Sequence, residues 1–142
     1  MSDEFVRPPK GVLDTNILIH WSGLDARTLP VDGAITAVTL AELAAAVHAD
    51  ITAEARAGRV DTLQRAESGF DPLPFDAAAA RVYGRIAAAV RSIGRSPRSR
   101  VADQMIAAIA ASQDLPLFTT NARDYQGLDG IVTIVSVPLP LP

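Results

Sequence analysis

Hydrophobic and polar positions fall into two kinds of block along the chain. Short apolar stretches at 11–14, 34–37, 117–120 and 131–137 have the length and composition of buried strands. Between them lie longer stretches with apolar residues at helical spacing. They predict helices from Thr15 to about Trp21, from about Thr39 to Ala49, through Asp50–Ala66, from Asp76 to Gly94 and over Val101–Gln113. Asp76 has the character of an N-cap and Gly94 that of a C-terminal glycine. Gly58 weakens its stretch and is a candidate break in it. Phe70–Phe75, with prolines at 72 and 74, suits an edge strand or an extended connector. Leu24–Asp32 and the basic Arg95–Arg100 read as loops.

Strands alternating with helices argue a parallel α/β sheet covered on both faces. The expected fold is a three-layer α/β/α domain around a short-stranded, mainly parallel sheet. No repeat or composition shift divides the chain, so one domain over 1–142 is expected. Residues 1–10 read as a flexible lead-in and 138–142 as an extended tail.

Composition narrows the chemistry. A chain of 142 residues can bury one core. Hydrophobic residues make up 49% and charged residues 20%, ordinary for a soluble domain. Its longest apolar runs are too short to cross a bilayer, and the N-terminus lacks a secretory pattern. No membrane association and a cytoplasmic location are therefore expected. There is no cysteine, which excludes disulfides, thiolate catalysis and thiolate zinc sites. His20 and His48 stand in separate segments without ligand spacing and read as packing or surface residues. Any metal would be held by oxygen, which favours Mg²⁺ or Mn²⁺. The net charge of −3 does not mark a nucleic-acid binder, but charge is unevenly distributed.

In parallel sheets ligands bind beyond the carboxyl ends of the strands. Acidic and amide residues gather there. Asp14 closes the first strand, with Thr15 and Asn16 behind it. Glu42 lies in TLAEL after the second strand. Asp103 opens the helix VADQMIAAIAA, and Asn121 and Asp124 follow the third strand in TTNARDY. Each has an ordinary structural explanation. Asp14 could cap a helix, Thr39 and Glu42 have capping-box spacing, Asp103 suits a helix N-terminus, and Asp124 suits a turn. Their shared placement after successive strands is what points further. Clustered carboxylates raise each other's pKa values, and one or two divalent cations relieve that repulsion.

In order, LDTNILI, TLAEL, RSRVADQMIAA and LFTTNARDYQGLDGI resemble the motifs of the PIN-domain ribonucleases, specifically VapC-like toxins of type II toxin–antitoxin modules. The likeness spans nearly the whole chain. It implies Mg²⁺-dependent endonucleolytic cleavage of RNA, with Asp14, Glu42, Asp103 and Asp124 as the acidic residues. Asp14 and Asp103 match the family's metal ligands most directly. Asn121 stands where some members have an acid. It could be a neutral ligand or orient a water, while Asp124 could ligate directly or through a neighbour. Thr15 and Asn16 would position Asp14; Asn16 equally suits a helix start. The resemblance also implies a cognate antitoxin that blocks the site, and a homodimer. Leu40, Leu43, Val47 and Ile51 could offer an apolar groove or face their own core.

Arg98 and Arg100 precede Asp103, and Arg123 precedes Asp124. All three are candidates for RNA phosphate contact. Arg91 and Arg95 suit a helix C-terminus. Trp21, Tyr83 and Tyr125 read as packing residues. Two other readings remain. One is a catalytically silent PIN-fold binding module. The other, a Mg²⁺-dependent phosphatase using Asp14 as nucleophile, would want an acid at position 16 and a lysine, whereas Asn16 is present and Lys10 is the chain's only lysine.

Overall fold

The computed structural model describes residues 7–140. Its sheet has four strands: β1 Lys10–Leu13, β2 Asp32–Ala34, β3 Leu117–Thr119 and β4 Ile134–Ser136. Their order is β2-β1-β3-β4, and every pairing is parallel. Val12 stands opposite both Ala34 and Leu117, which puts β1 at the centre. Five helices surround the sheet: α1 Thr15–Ile19, α2 Ala37–Val47, α3 Ala53–Gly69, α4 Ala77–Ser92 and α5 Val101–Ser112.

Side chains along a strand alternate between faces, and here that alternation sorts the core in two. Val12 and Leu117 pack with Ile86, Val90 and Ile106 of α4 and α5. Their neighbours Leu13 and Phe118 pack with Ile17, Leu18, Leu43 and Ala66 of α1, α2 and α3. The result is the expected three-layer arrangement. Leu40 and Leu43 thus face their own core. Among the described residues no helix is long and apolar enough to cross a membrane.

Several boundaries differ from the sequence pattern. β2 ends at Ala34, before most of the expected stretch 34–37. Thr36 is already the N-cap of α2, its Oγ1 accepting from Thr39 N–H at 3.0 Å. The capping box expected at Thr39 and Glu42 therefore does not form, because the helix begins one turn earlier and its cap is Thr36. Leu73 continues the sheet edge, bridging Thr36 and exchanging backbone bonds with Ile35 and Ala37. α3 is capped by Thr52 and runs unbroken through Gly58. A mid-helix glycine costs only about 1 kcal/mol, and Arg56 and Arg59 pin the helix by donating to the carbonyls of Val47, Ala49 and Ala46. β4 occupies only Ile134–Ser136, toward the end of the expected 131–137.

Asp76 caps α4 as expected. Gly94, at φ +81°, ends it in a Schellman motif: Gly94 N–H donates to Arg91 O and Arg95 N–H to Val90 O. The lead-in is partly anchored. Residues 1–6 lie outside the described residues, but Pro8 and Pro9 carbonyls accept from Val31 and Asp32, and Arg7 donates to the carbonyls of Leu29 and Pro30. In the tail, 138–140 form no regular element, and 141–142 lie outside the described residues.

The central strand is tight. A Cβ on Gly11 would collide with the Phe118 ring and approach Pro116 O to 3.3 Å, whereas one on Gly84 in α4 meets nothing within 4 Å. In urea unfolding, Gly11→Ala is expected to lose about 1–3 kcal/mol. Gly84→Ala is expected to gain about 0.5–1 kcal/mol.

Candidate active site

Asp14 ends β1 at the carboxyl edge of the sheet and is only 2% exposed. Its Oδ1 accepts from Thr15 N–H at 2.8 Å, so it does cap α1. Its Oδ2 accepts from Tyr125 OH at 2.7 Å, Thr119 Oγ1 at 2.8 Å and Asn16 Nδ2 at 3.4 Å. Thr119 hydroxyl is fully used, since it also accepts from Asn16 Nδ2 and from Asn121 N–H. Asn16 in turn accepts from Thr120 N–H. Burial pushes the Asp14 carboxyl above its ordinary range. The bonds from Tyr125, Thr119 and Thr15 act against that rise, and the charge of Asp124 adds to it. Burial and the nearby acids drive the Tyr125 phenol far upward, which keeps it a donor.

Glu42 is held by hydroxyls. Thr15 Oγ1 donates to Glu42 Oε1 at 2.6 Å and lies 2.9 Å from Thr39 Oγ1. A hydroxyl has one proton. Thr15 therefore spends it on Glu42, and Thr39 donates to Thr15. Thr36 Oγ1 donates to Thr39 at 3.4 Å, so three threonines form a one-way relay ending on the Glu42 carboxylate.

Asp103, in the first turn of α5, is where the charges meet. Burial and then the charges of Asp14, Asp124 and Glu42 push its carboxyl up to about 6, while Arg100 acts downward. Asp124 lies in the 3₁₀ turn Ala122–Tyr125 after β3. Arg100 Nη1 approaches Asp124 Oδ1 to 2.9 Å and Asp103 Oδ2 to 3.5 Å. Arg100 is the N-cap of α5 in the left-handed region, φ 63° and ψ 44°, with no side-chain cap bond. That conformation costs a non-glycine residue about 1 kcal/mol.

The structure thus brings Asp14, Glu42 and Asp124 within electrostatic range of Asp103, with Thr15 bonded to Asp14 and Glu42 and Asn16 to Asp14. Asn121 is exposed at the rim and contributes its backbone N–H. Arg98 and Arg123 are exposed. Arg123 lines a cleft of about 640 Å³ with Arg95, Ser99, Arg100, Gln104 and Asn121. Arg95 closes one side of it by donating to Arg123 O and Gln126 Oε1. The pattern-based reading missed Thr119 and undervalued Tyr125. Tyr125 does pack in the core, but its hydroxyl serves Asp14. Only its position one residue after Asp124 hinted at this.

Among the described residues, no three Asp, Glu, His or Cys side chains draw together closely enough to hold an ion as they stand. Arg100 already supplies a positive charge between Asp103 and Asp124. Even so, the donors are all carboxylate oxygens and the charge on Asp103 is only partly balanced, which fits a hard divalent cation once Arg100 yields.

Asp103 has a folded pKa above its unfolded value, so ionising it in the fold is unfavourable. Its burden on stability is present above pH 6 and disappears as the pH falls below about 4. Without metal at pH 7, Asp103→Asn is expected to be more stable than the parent. Solvent screening of a side chain still 19% exposed limits the gain to about 1 kcal/mol. Chemical unfolding of both proteins from pH 4 to 8 should show the difference closing toward pH 4.

Residues 11–130 match the PIN domain family. Ribonuclease VapC5 of Mycobacterium tuberculosis is 39% identical over 130 residues, which span 89% of this chain and 93% of that protein. The solved structure of VapBC-5, a member of the VapBC family of toxin–antitoxin systems from Mycobacterium tuberculosis, matches with a TM-score of 0.79 at 39% identity. It covers 93% of this chain and 100% of the other. DNA-bound VapBC from Salmonella typhimurium matches with a TM-score of 0.64 at 25% identity, covering 88% and 96%. A match of this extent, together with an acidic cluster at the carboxyl edge of a parallel sheet, means that the chain belongs to the PIN-domain family, among its VapC-like members.

Proposed function

We propose that the chain is a Mg²⁺-dependent endoribonuclease acting as the toxin of a toxin–antitoxin pair. The observation that carries this reading is the buried Asp14 at the carboxyl edge of the sheet together with Asp103 and Asp124, which Arg100 bridges. Asp14 and Asp103 would hold the cation, with Glu42 and Asp124 completing its surroundings and Asn121 at the rim. Mn²⁺ suits the same oxygen donors. When bound, such a cation neutralises charge on the phosphodiester and acidifies a water for attack.

The chain's own residues prepare that chemistry. Tyr125, Thr119 and Asn16 occupy Asp14 Oδ2, leaving Oδ1 with a single bond from Thr15. The threonine relay fixes Glu42 as an acceptor. Arg98 and Arg123 offer charge to incoming phosphates, and Arg100 joins them when a cation takes over its two carboxylates. Kinship to VapC5 and the VapBC toxin–antitoxin structures supports a cognate antitoxin, and a homodimer belongs to the same reading. Ile19 and Trp21, 58% and 43% exposed, give α1 and the turn after it an apolar surface suited to a protein partner.

The test is to incubate purified chain with bacterial RNA in Mg²⁺ and in EDTA, beside Asp14→Asn. Discrete cleavage that EDTA abolishes and Asp14→Asn lowers by ~100-fold or more supports the proposal. Intact RNA with a folded, metal-binding protein would favour the silent binding module instead. Titration calorimetry with Mg²⁺ should also show Arg100→Ala binding about fivefold more tightly than the parent, equivalent to ~1 kcal/mol for the loss of its two partly exposed ion pairs. Equal affinities would mean that Arg100 does not compete for the carboxylates.

A further inference from the structure

Helix α4 carries a charge pattern that neither the core nor the carboxylate site uses. Residues 77–102 hold six arginines and no acidic residue, so this stretch carries +6 in a chain whose net charge is −3. Elsewhere the signs are mixed, as in α3, where Glu54, Asp61 and Glu67 stand among three arginines. Three of the six, Arg81, Arg85 and Arg91, lie on α4 with exposed side chains. Their spacing puts them on the half of the helix turned away from the buried Ala79, Ile86 and Val90. Among the described residues none of the three forms an ion pair. Arg81 and Arg85 are like charges four residues apart, a pairing that weakens a helix.

Between these arginines the same face is bare. Gly84, Ala88 and Ser92 are exposed there, and a Cβ on Gly84 would meet nothing within 4 Å. Packing within the domain gives no reason for a mid-helix glycine, since alanine is the better helix former. The result is a smooth floor edged by guanidinium groups, about 15 Å long from Arg81 to Arg91 at the helical rise. Its C-terminal end opens on the cleft of about 640 Å³, which Val90 and Arg95 line together with Asp124. Arginine without acidic neighbours suits phosphate, and a row of arginines suits a strand of phosphates.

We propose that the outer face of α4 is a track for RNA backbone, with Arg81, Arg85 and Arg91 holding phosphates of the strand that leads into the cleft. The inference rests on RNA being the substrate. It makes the three arginines binding residues that take no part in the cleavage step. The bare glycine and alanine let the strand lie close against the helix, within reach of all three guanidinium groups. The protein then grips its target well outside the bond it cuts, and the acidic balance of the whole chain does not oppose binding on this face.

Fluorescence anisotropy in EDTA, where cleavage is off, tests this with a labelled single-stranded RNA of about 12 nucleotides at about 50 to 200 mM salt. The track variant Arg81→Ala/Arg85→Ala/Arg91→Ala should bind roughly tenfold or more weakly than the parent at the lowest salt. Its slope of log affinity against log salt should flatten by roughly 2, about 0.7 for each lost phosphate contact. It should melt at or above the parent's temperature, because alanine favours the helix and the like-charge pair is gone. The control Lys10→Ala/Arg27→Ala/Arg65→Ala removes as much exposed charge from other faces, and its slope should stay that of the parent. Equal losses in the two variants would mean bulk charge alone and overturn the inference, as would a track variant that binds RNA like the parent. A track variant that keeps its RNA affinity but loses affinity for a labelled oligoglutamate peptide would show a docking face for an acidic protein segment, and overturn it as well. All three outcomes leave the ribonuclease reading untouched. If the parent binds no RNA, the inference fails, and the cleavage assay in Mg²⁺ shows whether the RNA substrate fails with it.

Discussion

Everything at the carboxyl edge of the sheet is organised around one buried carboxylate. Asp14 is withdrawn from water at the end of the central strand, where an unpaired charge would be strongly unfavourable. The protein answers with donors from three places: the start of α1, the end of β3 and the turn after it. Those donors can meet only if β1 and β3 are neighbours in the observed register, which in turn needs Gly11 bare against Phe118. Sheet order, a glycine in the central strand and a tyrosine in a distant turn are thus parts of one constraint. Burial fixes the position of the carboxylate, and its bonds fix its orientation.

Around that fixed point the charge is left unbalanced. Asp103 feels Asp14, Asp124 and Glu42, and only Arg100 opposes them. Arg100 reaches its position from a left-handed N-cap, an unfavourable backbone state for arginine that its two ion pairs help to offset. The arrangement holds together without being at rest. A site of this kind accepts a stronger cation readily, because the groups to be neutralised are already gathered.

Much of this was legible in the sequence. The parallel three-layer fold follows from short apolar strands alternating with helices, and Asp14, Glu42 and Asp124 lie just past the ends of β1, β2 and β3, where the topology rule places a site, while Asp103 comes from the start of α5. What pattern could not give was pairing between remote hydroxyls. The Thr36–Thr39–Thr15 relay and the Thr119–Asp14 bond link segments with no shared periodicity. Thr39 also misled, because T-x-x-E spacing is satisfied locally by a cap and distantly by a hydroxyl chain. Helix α2 begins at Ala37 because Thr36 caps it and Leu73 secures the backbone beside it, a tertiary contact outside the reach of local pattern. In RSPRSR, Arg100 has the look of a phosphate contact, and nothing there reveals that its backbone turns left-handed and brings the guanidinium to Asp124 and Asp103.

The partners of Asp14 lie far along the chain: Thr119 is 105 residues away and Tyr125 is 111. During synthesis, β1 leaves the ribosome long before either exists. Contacts of such long range close late, after the entropy of the intervening loop has been overcome. Until the turn that carries Asp124 and Tyr125 has been made, Asp14, Glu42 and Asp103 stand without the scaffold that aligns them.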